Sequence, residues 1–366
     1  MTPMRAPAPA ERGFTLVEVL ISLALASLIL VATLAFVAAQ GRAHRDSMEL
    51  QTMQMGVRAA LDRILRDSRS AAAGFSSGTV SVQDVTAANL DIVTLDAVSL
   101  GHTLGSNLSN TGTGGADELN LVFADGRGVT SSTKDAAGVI NRQATAQAIT
   151  VLDITGFTTT YPDNFVLVSN GGVDAILIGV RTITPTAGLP PTGTLTLDPM
   201  TTKPANVFPA GLASFPGGSL IMTASAVTYR IDATIFGSTE PALVMARGGP
   251  LGITGFVDPL ASQVEDLQVA LGYDGLNGGV LDGFITENPA LGANRDEWAF
   301  NLTGDTLTGA ITTLRAIRVS LVARSVQSRP SGADAITIED HAPATTGVNY
   351  FRRRLRGVAS VRNFAL

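Results

Sequence analysis

The 366-residue chain contains no cysteine, which excludes disulfide bridges and thiolate metal sites. Only 15% of its residues are charged, the net charge is −6, and residues 251–294 include neither lysine nor arginine. Such a chain has no extended basic groove, so nucleic acid is not an expected partner.

Catalytic signatures are scarce as well. The three histidines, His44, His102 and His341, stand in no catalytic or metal-binding motif, and the chain has no His-Glu-x-x-His pair and no phosphate-binding loop. We therefore expect a protein that is not an enzyme and that needs no cofactor.

A long apolar run follows a polar leader that contains Arg5 and Arg12. Residues 19–39 carry no charge, and as an α-helix they span ~32 Å, enough to cross the ~30 Å core of a bilayer. Glu18 is the one acid in the run, and an acid in hydrocarbon requires a partner, which marks it as a candidate functional residue. No proline occurs in residues 14–70.

Residues 13–18, Gly-Phe-Thr-Leu-Val-Glu, with the apolar helix after them, resemble the N-terminus of type IV pilins and type II secretion pseudopilins. The resemblance implies that a prepilin peptidase cleaves between Gly13 and Phe14 and that the new amine of Phe14 is N-methylated. It also implies that Glu18, then the fifth residue, docks the subunit by pairing with the terminal amine of a neighbour. The alternative is a simple signal anchor whose Glu18 reaches the membrane interface.

The helix is predicted to continue to about residue 70 as an amphipathic segment. An apolar stripe recurs at helical spacing in Met53, Val57, Leu61, Ile64 and Leu65. We expect this stripe to pack on the following domain, although an interface with other subunits is the alternative. Opposite charges stand four residues apart in two pairs, Asp62 with Arg66 and Arg63 with Asp67.

The whole chain contains 38 glycines and 17 prolines, and from Ala71 onward its apolar residues alternate with a period of two. These features predict short strands joined by turns. The predicted fold class is α+β: a long N-terminal transmembrane and amphipathic helix, then a large, mainly antiparallel β-sheet domain. Strands are predicted at 90–95, 118–123, 149–154, 165–168, 175–180, 226–236, 242–246, 264–273, 314–324 and 358–364. In 314–324 the alternation of Ile317 and Val319 with Arg318 and Ser320 predicts one buried and one solvent-facing side.

The C-terminal third narrows the resemblance. A strand at 228–232 (Thr-Tyr-Arg-Ile-Asp) precedes the strand at 264–273, a glycine-rich loop ending at 282–283, the strand at 314–324 and a run of arginines at 352–354. This order resembles the PilW-type minor pilins. The implied division is a leader at 1–13, a helix at 14–70 with 14–39 in the membrane, and a head at 71–366. Within the head, 225–366 is PilW-like and 75–220 is a candidate insertion.

The resemblance implies a minor pilin that helps to initiate or cap a type IV pilus. It implies one pass through the bacterial inner membrane, a cytoplasmic N-terminus, and a periplasmic head that later reaches the pilus surface. The implied partners are the prepilin peptidase, other major and minor pilins, the inner-membrane assembly platform and the lipid bilayer. A J-like pseudopilin of type II secretion, and a pilus-tip adhesin or DNA-uptake subunit, remain alternatives.

Two further segments contain charged residues that could bind a ligand. The loop 274–287 is acidic and rich in glycine, but only Asp274 and Gly279 fit the spacing of a calcium-binding EF-hand, so no metal is expected. The cluster Arg352, Arg353, Arg354 and Arg356 either contacts DNA or an acidic neighbour, or protects an exposed strand edge from pairing. We favour the protective role.

Overall fold

The structure is a computed structural model that combines one helix with antiparallel sheets. It describes residues 15–74, 79–83, 92–96, 98–103, 116–133, 142–143, 148–160, 163–169, 175–186, 191–198, 217–235, 240–248, 256–276, 281–285, 297–299, 313–325, 350 and 352–361. Helix α1 runs from Leu16 to Ser70 without a break. The predicted α+β class is therefore confirmed.

Sixteen strands follow the helix in the described part of the chain. They are β1 (Thr79–Gln83), β2 (Ile92–Asp96), β3 (Val98–Thr103), β4 (Ala116–Ser131), β5 (Arg142–Gln143), β6 (Ala148–Val151), β7 (Phe165–Ser169), β8 (Ala175–Pro185), β9 (Gly193–Asp198), β10 (Leu220–Asp232), β11 (Ala242–Arg247), β12 (Val257–Ser262), β13 (Val264–Tyr273), β14 (Trp298–Ala299), β15 (Leu314–Arg324) and β16 (Arg352–Ser360).

The larger sheet has twelve strands and is built around β10. Strand β4 pairs with one side of β10, and β7 and β11 pair with its other side, β7 near its start and β11 near its end. Its named pairs are antiparallel apart from β1 with β8. Strands β4 and β7 lie in the candidate insertion 75–220, yet they share a sheet with the PilW-like strands β10 and β11. The division of the head remains a prediction.

The smaller sheet has the order β14-β13-β15-β16. Strands β13 and β15 have the predicted bounds, and their apolar residues meet across the ladder in the pairs Leu267 with Leu321 and Val269 with Val319. These side chains face one core, which the second half of α1 also enters.

Two compact units divide the chain at Thr52 and Met53. In the second unit, Val57 and Ile64 are 1% and 0% exposed and join a cluster with residues of both sheets. The predicted packing of the apolar stripe on the head is therefore confirmed. Gly357 of β16 is part of this fit, because a Cβ atom there would lie 2.5 Å from Leu65 Cδ1.

Two predictions about the smaller sheet were wrong. The last strand is Arg352–Ser360 instead of 358–364, since backbone pairing with β15 extends through the arginines. The face expected to meet solvent is covered: Arg318 and Ser320 are both fully buried. The Arg318 guanidinium carbon lies 4.3 Å from the centre of the Trp298 ring, a cation–π contact that helps to accommodate a buried charge.

Candidate functional site

The start of α1 is organised around Glu18. The backbone N–H and the hydroxyl of Thr15 both donate to Glu18 Oε2 at 2.9 Å, and the Glu18 N–H lies 3.3 Å from Thr15 Oγ1. This reciprocal arrangement is a capping box, which satisfies N–H groups that the first turn of a helix leaves unpaired. Gly13 and Phe14 lie outside the described residues, so their roles in cleavage and N-methylation stay predictions.

The first part of the helix exposes its apolar surface on all sides. The large apolar side chains between Leu16 and Val37 are 55–78% exposed. The helix is long and apolar enough to cross a membrane, and the most apolar stretch contains no buried residue. A helix that is apolar all round and lacks a protein core around it suits a lipid environment.

The last turns of α1 are attached to the head by a buried carboxylate. Asp67 is 5% exposed; its Oδ2 accepts a hydrogen bond from Arg63 Nε at 3.0 Å and another from the hydroxyl of Tyr229 on β10. Of the two pairs predicted from spacing, Arg63 with Asp67 is formed, whereas Asp62 and Arg66 form no ion pair in the part of the chain that the structure describes. Burial raises the pKa of Tyr229, and the Asp67 carboxylate raises it further. Tyr229 therefore stays protonated and acts as a donor.

The chain leaves the helix through a turn that continues this attachment. The Ala72 N–H donates to the Val122 carbonyl at 3.1 Å, and the Ala124 N–H donates to the Ala73 carbonyl at 2.8 Å. Gly74 has a φ of +96°, and a Cβ atom there would lie 2.7 Å from Met222 Cε. A glycine is thus needed where the turn meets β4 and β10.

A cleft of about 570 Å³ opens beside these last turns. One wall carries Arg63, Arg66 and Ser70 of α1, and apolar side chains line the base, among them Phe123 and Met245. The rest of the lining includes two arginines and three aspartates from the head: Arg127, Arg247, Asp125, Asp163 and Asp258.

Asp125 organises the head side of the cleft. Its Oδ1 accepts from the Thr223 hydroxyl and its Oδ2 from the Ser225 hydroxyl at 3.0 Å, while Arg127 Nε donates to Oδ2 at 2.8 Å. Burial would raise the pKa of Asp125, but the hydrogen bonds from Arg127 and Thr223 outweigh it and lower the pKa. The carboxylate is therefore ionised and fully engaged at neutral pH.

Sequence reasoning did not single out Asp125 and Arg127. They stand in the segment Ala-Asp-Gly-Arg-Gly at 124–128, where β4 bulges: Ala124 pairs with Ala224, and the next pair joins Val129 to Met222. The Asp-Gly pair is a local signal for such a turn. The hydroxyl partners lie about a hundred residues away along the chain, and no local pattern predicts them.

The loop after β13 uses its acids for its own backbone. Asp274 accepts hydrogen bonds from the N–H groups of Asp282 and Gly283 at 3.0 and 2.9 Å, and Glu297 accepts from Gly275 at 2.9 Å. Within the described residues, no group of three or more histidine or acidic side chains is arranged to hold a metal ion.

The arginine cluster lies on β16, which ends the described order of the smaller sheet. Arg352 is turned inward and forms an ion pair with Glu265, whose side chain is 3% exposed. Arg353, Arg354 and Arg356 are exposed. The cluster is thus divided between an internal ion pair and the surface of an end strand, where exposed arginines hinder pairing with another chain.

Comparison with known proteins adds two family matches. Residues 9–34 match the prokaryotic N-terminal methylation motif, and residues 228–363 match the type IV pilus-assembly protein W family. No curated protein and no solved structure matches the chain.

The methylation motif on an apolar N-terminal helix defines the class: the chain is a membrane-anchored protein of the type IV pilin kind. The match at residues 228–363, which runs from the end of β10 through β16, names a more specific family. It includes Tyr229, whose hydroxyl donates a hydrogen bond to Asp67 of α1. Together the two matches indicate a PilW-type minor pilin of the type IV pilus. Proteins of this kind associate in general with a prepilin peptidase and with other pilins.

Proposed function

We propose that this minor pilin helps to initiate or cap pilus assembly, and that Glu18 docks it against a neighbouring subunit. In this proposal the chain is cleaved between Gly13 and Phe14, and Phe14 is N-methylated. The observation that carries the proposal is the position of Glu18. It is the one charged residue in an apolar stretch that extends to Gly41, and it lies in the first helical turn, close to the proposed new N-terminus.

The geometry of Glu18 supports a second partner. Both hydrogen bonds from Thr15 end on Oε2, and Oε1 has no partner among the described residues. A carboxylate has lone pairs on both oxygens, so Oε1 can accept from a cation while Oε2 caps the helix. The terminal amine of an adjoining mature pilin is such a cation, and its charge would balance the acid in hydrocarbon.

The proposed role is structural and involves no catalysis. The helix would stand in the inner membrane with the leader in the cytoplasm and the head in the periplasm until the assembly platform adds the subunit to the pilus. An apolar helix surface with 55–78% exposure of its large side chains supports this role, because assembly would transfer it from lipid to neighbouring helices.

The test separates helix capping from charge pairing. Glu18→Gln keeps an acceptor for the capping box but removes the charge, whereas Thr15→Ala removes the capping side chain and keeps the charge. We expect Glu18→Gln to be processed yet absent from sheared pili, and Thr15→Ala to be incorporated. Immunoblots of the membrane and pilus fractions measure both outcomes.

Mass spectrometry of the purified chain tests the processing step. A methylated N-terminus at Phe14 is expected for the wild type and for Glu18→Gln, and Gly13→Phe should retain the leader. A wild-type chain that begins at Met1 would contradict the proposed cleavage. Normal incorporation of Glu18→Gln would contradict the docking role.

A further inference from the structure

The cleft beside the end of α1 is not used by the proposed docking through Glu18, and its charges are unevenly distributed in depth. The side chains of Asp67 and Asp125 are 7% and 12% exposed, whereas those of Arg63, Arg127 and Arg247 are 33–47% exposed. The acids at the base already accept hydrogen bonds from Tyr229, Thr223 and Ser225. Arg127 and Arg247 also form ion pairs with Asp163 and Asp258, so all four aspartates of the lining are engaged.

Among the described residues of the lining, Arg66 is the arginine that lies outside this network of ion pairs. It is exposed on the helix wall, one turn from Arg63, and it forms no ion pair with any residue that the structure describes. Arg63 donates through its Nε to Asp67 and also interacts with the hydroxyl of Tyr229, so its guanidinium is already engaged. A guanidinium group such as that of Arg66 binds a carboxylate through paired, charge-assisted hydrogen bonds.

The residues at the rim and the base of the cleft restrict the chemical class of ligand that can bind there. The side chains of Asp163 and Asp258 are 37% and 45% exposed and form ion pairs with Arg247, so the rim adds no unpaired cation for a multiply charged anion such as phosphate or nucleic acid. The apolar residues of the base, including Phe123 and Met245, suit an aliphatic stem or a neighbouring apolar side chain. A volume of about 570 Å³ holds several side chains, more than one isolated carboxylate requires.

We infer that this cleft is a docking site for a short segment of a neighbouring pilin that carries one aspartate or glutamate flanked by apolar residues. The carboxylate would bind the guanidinium of Arg66, and the apolar residues would contact the base. The inference rests on the proposed assembly with other subunits, but it concerns the head and not the membrane-spanning end of the helix.

Because the chain has no cysteine, one introduced thiol is unique and allows a site-specific test. Ser70→Cys places a thiol at the cleft, where a benzophenone–maleimide probe can be attached to the full-length protein in pilus-producing membranes. Illumination should then join the chain to another pilin, and peptide mass spectrometry should locate the link beside an aspartate or glutamate. Leu152→Cys, at a half-exposed site outside the cleft lining, is the labelling control.

Charge reversal tests the specific contact. In the Ser70→Cys background, Arg66→Glu should lower the yield of this cross-link about tenfold or more, since it replaces a charge-assisted pair with repulsion. Arg69→Glu makes the same change one turn along, outside the cleft lining, and should leave the yield unchanged. Replacing the identified acid by arginine in the partner should restore the yield with Arg66→Glu.

The outcomes separate this inference from the proposed function. An unchanged yield with Arg66→Glu, or links only to lipid or to segments without an acid, would overturn the cleft as a carboxylate site. If Glu18→Gln still blocks incorporation in that case, docking through the helix stands. Fluorescence of Trp298, the one tryptophan, verifies that each variant keeps its folded head.

Discussion

The two parts of α1, before and after Met53, place similar apolar residues in different environments. Ile29 in the first part is 64% exposed, and Ile64 in the second is fully buried. The first part is apolar on all sides, whereas the second confines its apolar residues to one stripe and places charged residues such as Arg63 and Arg66 beside it. Hydrophobicity alone therefore does not predict which part packs on the head; the distribution around the helix does.

The largest difference should appear when the same side chain is truncated in both parts. Ile64→Ala should lower the free energy of unfolding of the head by about 2–5 kcal/mol, because it leaves a cavity in the core. Ile29→Ala should change that free energy by less than about 0.5 kcal/mol, as expected at exposed sites. Urea titration of the full chain in detergent micelles, followed by Trp298 fluorescence, measures both.

Trp298 is a suitable reporter because it is 6% exposed and stacked with Arg318 inside the head. Equal losses of stability for the two isoleucine variants would mean that both parts of the helix share one cooperative core. That result would contradict the division of the helix into an exposed and a buried part.

Sequence reasoning was most successful where local periodicity decides the structure. The helix, its apolar stripe and the bounds of β13 and β15 follow from residues close together in the chain. It misplaced the bounds of β16, although it favoured an exposed strand edge for the arginines at 352–356. An end strand is held by its backbone pairs, so its outer side chains can be charged.

The burial of Arg318 and the cleft around Asp125 depend on contacts between distant segments. Arg318 meets Trp298 across 20 positions, and Asp125 meets Thr223 across 98. An alternating pattern shows which residues share a face of a strand, but not whether another segment covers that face. Glu18 could be singled out from its apolar neighbours in the sequence, whereas its hydrogen bonds with Thr15 and the cleft that Arg66 lines are seen only in the structure.

A smaller loss of stability should follow removal of one hydroxyl group from the buried part. Tyr229→Phe should lower the free energy of unfolding by about 1–3 kcal/mol, because the carboxylate of Asp67 loses a donor inside the protein. Tyr350→Phe is the matched control; it keeps the ring that Arg324 covers at 4.4 Å and should cost less.

A double-mutant cycle with Asp67→Asn identifies the contact responsible. If the hydroxyl acts through Asp67, the losses from the two single changes should not add. Additive losses would show that the Tyr229 hydroxyl acts independently of Asp67, and the attachment of the helix end would then not depend on this hydrogen bond.

The smallest effect concerns the two glycines within α1. A Cβ atom at Gly41 or at Gly56 would meet no other atom within 4 Å, so alanine fits at both positions. Each change should favour the helix by up to about 1 kcal/mol, since glycine loses more backbone freedom than alanine when a helix forms. Only Gly56 lies in the compact unit that begins at Met53. We therefore expect only Gly56→Ala to raise the urea concentration at the midpoint of unfolding, measured by Trp298 fluorescence. A similar rise with Gly41→Ala would place the boundary of the cooperative unit about three helical turns nearer the membrane end, because Gly41 lies 12 residues before Met53 and a turn takes about 3.6 residues.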